Sequence, residues 1–305
     1  MSWNRNETEI FAEALCRKLF GKSPDTMELC NVGMVNTVYI VRVGEEKYVI
    51  RLNREQGTYA ESANLLAQGY ELGIPVPELI ESGYMQGFEY LVMTYIKGRD
   101  LGIVYPELLP EDKQAIAQRL VEIQQKASGF QGFHKQEPWQ NTIYELLDTA
   151  EERIKSAGYF EMEKVEFVRR EAQRMEKYFK EVQPSAYLDD ISTKNLLIEG
   201  GKVSGIVDLD EIGYGDRLTY IALMRVALLN MGFDDSLCGD ILRGMDADAG
   251  QRRAELFYSL LYCVDFMGER GMIFNGREVE VNREVIDRLN TIFEKLQSRM
   301  QAEEG

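Results

Sequence analysis

The sequence contains a single histidine, His134, among its 305 residues. Hydrolases built on Ser-His-Asp or Cys-His arrangements need an imidazole base, and common zinc enzymes need two or three histidine ligands. The composition therefore argues against both kinds of chemistry. His134 lies in a segment of loop-like residues, and we interpret it as a surface residue rather than a catalyst.

Cysteines and long apolar runs are scarce as well. The four cysteines are widely separated and form no Cys-x-x-Cys pair for zinc or thiol exchange. We expect free thiols and a cytoplasmic location. No apolar run reaches the roughly 18 residues of a membrane span, and the N-terminus lacks a basic segment followed by an apolar one. We therefore predict neither export nor membrane insertion.

The charge balance is strongly acidic, with a formal net charge of -16. Nucleic acids and anionic membranes bind through clustered Lys and Arg, so the charge opposes both partners. A neutral or cationic small molecule is favoured, although surplus carboxylates also serve solubility. The charge alone assigns no function.

Hydrophobic spacing divides the chain into a strand-rich front and a helical remainder. An opening helix at 6–20 precedes β runs at 28–30, 37–43, 47–52, 78–82 and 89–96, with one helix inserted at 59–70. Long helical patterns follow, interrupted by a β interlude at 195–209. We predict an α+β fold with domains at 1–96 and 97–305.

The residues that carry chemistry surround this interlude. Asp190 lies in a loop, Asn195 follows five residues later, and Asp208 ends the next strand. Carboxylate and amide oxygens suit Mg²⁺, and a loop Asp can accept the proton of an attacking hydroxyl in phosphoryl transfer. Asp and Asn also cluster in ordinary turns. The prediction therefore depends on the order of four features. An Asp lies in a loop, an Asn begins a strand, a turn contains glycine, and an Asp ends the next strand.

This pattern resembles that of the aminoglycoside phosphotransferase and choline kinase family of small-molecule kinases. Asp210 and the pair Gly215-Asp216 match the family spacing too, and the resemblance covers most of the chain. It implies a protein-kinase-like, two-lobed fold with a β-rich N-terminal lobe and a mainly helical C-terminal lobe. By this resemblance Asp190 is the catalytic base, and Asn195 and Asp208 are Mg²⁺ ligands.

The resemblance also implies a nucleotide cofactor, ATP or alternatively GTP, and a small acceptor alcohol similar to an aminoglycoside, choline or an amino alcohol. Residues 31–39 look like the phosphate-covering loop, although one glycine alone also fits a plain hairpin connection. Arg51 takes the place of the phosphate-pairing lysine, with Glu61 as its ion-pair partner or, alternatively, as a solvated helix residue. The residues implied to bind nucleotide are Asn36, Arg51, Glu61, and at adenine the backbone of Met93, Thr94, Tyr95 and Ile96.

Two departures from the family pattern leave alternatives open. Leu188-Asp189 replaces the family's His-Gly before the catalytic Asp, and the loop at 31–39 contains only one glycine. Ile123-Gln124 in place of a Leu-His pair is a smaller departure that lies outside the transfer chemistry. A catalytically weak or inactive sensor or scaffold is the rival hypothesis, although retention of all three central residues favours activity. A protein kinase is disfavoured because no Ala-Pro-Glu segment follows Asp208.

The substrate and the oligomeric state, monomer or homodimer, stay open. A cationic acceptor would suit acidic side chains near the active site and on the C-terminal helices. The candidate substrate-binding residues are Asp189, Asp210, Asp265 and Glu269, with Asp234 and Asp235 as further acidic positions.

Overall fold

The computed structural model describes residues 5–30, 36–132, 137–274 and 276–302. His134 and residues 31–35 of the predicted phosphate-covering loop lie outside these ranges. The helices are α1 (Arg5–Phe20), α2 (Ala60–Glu71), α3 (Leu101–Val104), α4 (Pro110–Ala127), α5 (Trp139–Ala157), α6 (Glu163–Arg174), α7 (Glu176–Glu181), α8 (Leu218–Asn230), α9 (Ser236–Gly244), α10 (Ala249–Gly268) and α11 (Arg283–Ala302). The strands are β1 (Thr26–Cys30), β2 (Thr37–Val43), β3 (Glu46–Asn53), β4 (Leu79–Met85), β5 (Phe88–Thr94), β6 (Arg99–Asp100), β7 (Ser185–Tyr187), β8 (Leu196–Glu199), β9 (Lys202–Ile206), β10 (Gly213–Gly215), β11 (Ile273–Phe274) and β12 (Arg277–Glu278).

Packing divides the chain into two units, and the first is not continuous in sequence. It comprises residues 1–98 and 204–211, and the second comprises 99–203 and 212–305. The predicted boundary after residue 96 lies close to this division, but the prediction assigned 204–211 to the second domain. The segment joins the first unit because the Ile206 N–H donates to the Pro75 carbonyl at 2.8 Å. A Cβ on Gly205 would lie 2.5 Å from Ile96 Cδ1, so only glycine permits this close approach.

The first unit is built on a five-stranded antiparallel sheet in the order β1-β2-β3-β5-β4. Ile50 on β3 lies opposite Tyr39 on β2 and Val92 on β5. Alternate residues of a strand face the same side, so these positions form one apolar face. Phe11 and Leu15 of α1 pack against that face and complete the core.

The second unit is mainly helical, with α10 packed against α5, α8 and α11. Large apolar residues of α10, such as Phe257 and Leu260, are fully buried. Short strand pairs support the loops between helices: β7 pairs with β10, and β6 pairs with β8. None of the helices in the described ranges is both long and apolar enough to span a membrane. The four cysteines are free thiols, as predicted.

Candidate functional site

Arg51, a buried residue of β3, contacts two carboxylates of the segment 204–211 in the first unit. Its Nη1 and Nη2 donate to Oδ1 and Oδ2 of Asp210 at 2.8 and 2.7 Å, and Asp208 Oδ1 lies 3.4 Å from Nη1. Burial lowers the pKa of Arg51, but the hydrogen bonds and charge of Asp210, with Asp208, outweigh it and raise the pKa above its usual value. The guanidinium is therefore charged and held in one orientation.

Residues of α2 and the loop before it support this pair. Ser62 Oγ donates to Asp210 Oδ1 at 2.7 Å, and the Arg51 guanidinium lies 5.2 Å from the ring centre of Tyr59. Burial raises the pKa of Asp210, but the hydrogen bonds and charge of Arg51, with the Ser62 hydrogen bond, lower it below its usual value. Asp210 therefore stays ionised against Arg51.

Glu89 of β5 fixes the start of α2. Its buried carboxylate accepts the backbone N–H groups of Gly57, Thr58 and Tyr59, the last two at 3.1 and 3.0 Å. The residue before the helix supplies no side-chain cap, so Glu89 provides both the acceptors and the negative charge that a helix N-terminus favours. This contact sets the rotation of α2 about its axis.

The predicted ion pair between Arg51 and Glu61 is wrong. Glu61 is exposed, whereas its neighbour Ser62 is buried against Asp210. Successive helix residues point about 100° apart, so the rotation of α2 that turns Ser62 inward turns Glu61 outward. Asp210, predicted to contact substrate, instead holds Arg51.

Asp208 follows β9 and has a left-handed backbone conformation, with φ of +60°. Asp tolerates this region better than most non-glycine residues, at a cost on the order of 1 kcal/mol. Such conformations cluster at functional sites, where the surrounding structure maintains them. The turn brings the Asp208 carboxylate beside Arg51.

The residues predicted to meet adenine lie at the end of β5. Met93 is buried within the sheet, and the Thr94 and Tyr95 N–H groups donate to backbone carbonyls, the latter to Lys47 at 3.1 Å. Ile96, in contrast, has no hydrogen-bond partner for its N–H or carbonyl within the described ranges. Of the four, Ile96 therefore has backbone groups available to a ligand.

Asn36 directly precedes β2 and is hydrogen-bonded to the neighbouring strand, β3. Its Oδ1 accepts from Asn53 Nδ2 at 2.7 Å, and Asn53 Oδ1 in turn accepts the Glu55 N–H at 2.8 Å. The hydrogen bond fixes the amide of Asn36 at the end of the described part of its loop.

In the second unit, Asp190 and Asn195 are hydrogen-bonded across their loop. Asn195 Nδ2 donates to Asp190 Oδ2 at 2.8 Å and to the Asp190 carbonyl at 3.1 Å. The Asp190 side chain is accessible, yet partial loss of hydration raises its pKa, and Ser192, Asn195 and Lys194 oppose this rise only in part. A carboxylate with a raised pKa suits a general base.

Asp189 is directed onto its own loop. Its Oδ1 accepts the Asp190 N–H at 2.8 Å, which separates its carboxylate from that of Asp190. Burial, followed by the charge of Asp189, raises the pKa of Tyr262, so Asp189 lies near that tyrosine of α10. The loop thus carries two carboxylates with different environments.

Gln124 of α4 holds the start of this loop, a role that the sequence analysis missed. Its Nε2 donates to the Leu188 carbonyl at 2.7 Å, and its Oε1 accepts the Leu188 N–H at 3.0 Å. Gln124 is only 2% exposed. Its place on the buried face of a helix was an available signal, because buried amides require hydrogen-bond partners.

The pair Gly215-Asp216 is structural. The buried Asp216 carboxylate accepts from the hydroxyls of Tyr178 and Tyr258 at 2.9 and 3.0 Å, and from the Leu218 N–H at 3.0 Å. Burial raises the pKa of Asp216 despite these bonds. The group fixes the start of α8.

The acidic residues of the C-terminal helices that were predicted to bind substrate lie close to arginines. Asp265 Oδ1 accepts from Arg153 Nη1 at 3.0 Å, and Glu269 lies 4.0 Å from Arg270 Nη2. Burial raises the pKa of both acids. The acidic character expected for this region is therefore largely offset.

Asp234 and Asp235 form structural ion pairs. Asp234 Oδ2 lies 2.9 Å from Lys113 Nζ, and Asp235 contacts Arg225, Arg299 and, at 3.8 Å, Lys295. These contacts join helices of the second unit.

Comparison with known proteins identifies a family for the chain. Residues 26–257 match the family model described as phosphotransferase enzyme family. No curated protein sequence matches the chain. The matched region contains the Arg51 group of the first unit and the Asp190-Asn195 pair of the second.

Solved structures with low sequence identity share the fold. A thermostable mutant of aminoglycoside phosphotransferase APH(4)-Ia, in ternary complex with AMP-PNP and hygromycin B, has a TM-score of 0.61 at 15% identity, covering 95% of this chain and 97% of that chain. ADP-bound aminoglycoside phosphotransferase APH(2'')-Ib has a TM-score of 0.62 at 15% identity, covering 96% and 99%. A putative fructosamine-3-kinase from Haemophilus somnus 129PT has a TM-score of 0.60 at 14% identity, covering 95% and 97%.

These similarities confirm the predicted fold class, an antiparallel sheet in the N-terminal region and a mainly helical C-terminal region, as in protein-kinase-like enzymes. The family model spans well over half of the chain. The chain belongs to the phosphotransferase enzyme family.

Proposed function

We propose that the protein transfers the γ-phosphate of ATP, or alternatively GTP, to a hydroxyl group of a small molecule. The observation that carries this proposal is the hydrogen-bonded pair of Asp190 and Asn195, 2.8 Å apart, in the loop of a phosphotransferase-family chain. Phosphoryl transfer depends on the positioning of the reactants and on charge neutralisation. For these tasks the loop supplies a carboxylate, that of Asp190, and an amide, that of Asn195.

Asp190 is the proposed general base. Its carboxylate accepts the proton of the acceptor hydroxyl while the hydroxyl oxygen bonds to the γ-phosphorus and the bond to the nucleoside diphosphate breaks. The hydrogen bond from Asn195 fixes the carboxylate, and its raised pKa increases its affinity for that proton. Gln124 acts as a positioning residue because it fixes the backbone just before the base.

Asn195 and Asp208 are the proposed Mg²⁺ ligands. The Asn195 amide nitrogen is engaged by Asp190, while its Oδ1 has no hydrogen-bond partner in the part of the chain that the structure describes. The described part of the chain contains no cluster of three or more His, Cys, Asp and Glu side chains that could hold a metal ion. Carboxylate, amide and phosphate oxygens are each usual donors to this ion, which supplies charge neutralisation when bound.

Arg51 and Ile96 are the proposed nucleotide contacts of the first unit. The Arg51 guanidinium is charged and oriented by Asp210, and such a group binds phosphate oxygens in a forked geometry. The backbone groups of Ile96 suit the edge of a base. Similar structures contain AMP-PNP and ADP, which supports a nucleotide cofactor here.

The test is nucleotide turnover across a panel of hydroxyl compounds that includes sugars, sugar acids, amino alcohols and aminoglycosides. Asp190→Asn should reduce kcat by at least about a hundredfold while nucleotide binding persists, because only proton acceptance is lost. Asp287→Asn is the matched control, since Asp287 is 69% exposed on α11 and pairs only with Arg283 in the described chain.

Two outcomes would contradict the proposal. Full turnover by Asp190→Asn would remove Asp190 from the reaction. Nucleotide binding without turnover of any acceptor would instead support the alternative, a nucleotide-binding sensor or scaffold.

A further inference from the structure

The second unit contains a cavity of about 480 Å³ between the end of α5 and the turn after α10. Two arginines, Arg153 and Arg270, line it together with Ser156, Tyr159 and a single carboxylate, Glu152. The volume is within the range of about 300–1,000 Å³ that holds small-molecule ligands. The chain has a net charge of -16, whereas this cavity is lined by two guanidinium groups and one carboxylate.

Both guanidinium groups have donors left over for a ligand. Arg153 uses Nη1 for Asp265, and it has no other hydrogen-bond partner among the described residues. Arg270 donates from Nε to the Phe266 carbonyl at 2.9 Å and from Nη1 to the Glu280 carbonyl at 3.4 Å. Its Nη2 lies 4.0 Å from the nearest carboxylate, that of Glu269, beyond hydrogen-bond distance.

The charge of Arg270 is only partly compensated, because Glu269 lies 4.0 Å away. The Arg270 side chain is only 15% exposed. Burial lowers the pKa of Arg270, and the charge of Arg288 adds to this effect, which Glu269 and Glu280 do not cancel. An anion in the cavity would supply the missing charge and accept forked hydrogen bonds.

The cavity has an aromatic wall next to the turn that carries Arg270. Gly271 has a φ of +78°, and a Cβ at this position would lie 3.0 Å from Tyr159 Cε2. The tyrosine ring therefore packs over the backbone of the turn that carries Arg270, so the cavity combines an aromatic surface with two cations.

Contacts within the second unit connect the cavity to the loop of the proposed base. Arg153 binds Asp265, and the charges of both Asp189 and Asp265 act on Tyr262. Asp189 is hydrogen-bonded to the backbone of Asp190. Carboxylates from the loop of the base and from the partner of Arg153 thus both act on Tyr262.

We propose that the acceptor is an anionic alcohol, a hydroxy acid or a phosphorylated polyol, whose carboxylate or phosphate group binds Arg153 and Arg270 in this cavity. The inference rests on the proposed function for the role of the ligand as acceptor. It replaces the expectation of a cationic substrate, because Asp265 and Glu269 already face arginines.

Direct binding tests the site without any need for turnover. Gluconate and glucose 6-phosphate represent the carboxylate and the phosphate, and glucose is the uncharged polyol of matched size. Calorimetry on the full chain should detect both anions, with glucose at least about tenfold weaker, because glucose has no charge to strengthen its hydrogen bonds to the guanidinium groups. Which anion binds more tightly distinguishes the two sources of negative charge.

Variants locate the site. Arg270→Gln and Arg153→Gln should each weaken anion binding at least about tenfold, and Arg270→Lys should retain part of it because it keeps the charge without the fork. Arg283→Gln is the matched control, since Arg283 is 95% exposed on α11. Thermal unfolding identifies a variant that fails through misfolding, in which case Arg270→Lys decides.

The outcomes separate this inference from the proposed function. Anion binding that depends on Arg270, without turnover of any compound, would uphold the site and refute the kinase. Turnover of neutral or cationic alcohols with no binding of either anion would uphold the kinase and overturn this inference. Equal binding of glucose and gluconate would also overturn it.

Discussion

Arg51 and Asp210 form a two-fold hydrogen-bonded ion pair between residues 159 positions apart in the sequence, with N–O distances of 2.8 and 2.7 Å. The pair lies in the first unit and joins β3 to the segment that returns to it. Asp208 lies 3.4 Å from the same guanidinium. A residue proposed to bind phosphate is thus oriented by one carboxylate and adjoins another that is proposed to bind metal.

Asp210→Asn should raise the KM for nucleotide about tenfold or more, because a hydrogen bond between charged groups contributes roughly 1.5–3 kcal/mol. Steady-state kinetics with varied ATP measure the effect. Ser62→Ala removes only one neutral donor from the same carboxylate and should change KM less than about tenfold. An unchanged KM in Asp210→Asn would show that Arg51 needs no orienting carboxylate.

The activity should fall at low pH through the protonation of Asp190. A base must be ionised, so turnover is present above its pKa and disappears as the pH drops through it. Burial raises the pKa of Asp190 above its ordinary value of 3.8, which moves the acidic limb of kcat/KM to higher pH. A profile of kcat/KM over pH 3–8 checks this, and a limb centred at or below 3.8 would contradict it.

Gln124→Met should lower kcat and destabilise the loop that carries Asp190. Methionine matches the shape of glutamine but leaves the N–H and carbonyl of Leu188 without partners, at about 1–3 kcal/mol for each buried group. Gln124→Glu keeps the acceptor for the Leu188 N–H and should retain more activity. If Gln124 served only to stabilise the fold, Gln124→Met would lower the free energy of unfolding without changing the kcat of the folded protein.

The sequence predicted some parts of the site because their contacts are local. Asp190 and Asn195 are five residues apart in one loop, and Arg51 follows from its place on a regular strand. The partner of Arg51 was predicted wrongly, since Asp210 lies far away in the sequence and the rotation of α2 about its axis turns Glu61 towards solvent. That rotation depends on Glu89, which lies on another strand. Likewise, Arg153 and Arg270 meet only in the folded second unit.

Glu89→Gln should destabilise the protein by about 1–3 kcal/mol, because a charged acceptor for three backbone N–H groups becomes a neutral one with a single acceptor oxygen. Chemical unfolding at pH 7 measures the change. Glu284→Gln serves as the control, since Glu284 is 87% exposed on α11 and pairs with Arg288. Equal effects of the two substitutions would show that Glu89 does not anchor α2.

Asp235 should make the stability of the protein depend on acidic pH. Although burial opposes the shift, Arg299 and Arg225 lower its pKa from 3.8 to about 2. At about 1.36 kcal/mol for each pKa unit, this corresponds to roughly 2 kcal/mol at pH 7.

Because the folded pKa is the lower one, this stability is fully present above the unfolded pKa and is lost as the pH falls from about 4 towards 2. Urea unfolding of wild type and Asp235→Asn at pH 7 and pH 3 measures it. The difference in the free energy of unfolding should shrink at pH 3, and an equal difference at both values would exclude this role.

The return of residues 204–211 to the first unit has a consequence for inheritance. A single recombination junction near residue 98 would take Arg51 from one parent and Asp208 and Asp210 from the other. The hybrid would contain a buried guanidinium whose two counter-charges evolved in a different background. Exchange of the whole first unit between relatives therefore requires three crossovers, near residues 98, 203 and 211, so these three residues should be inherited together.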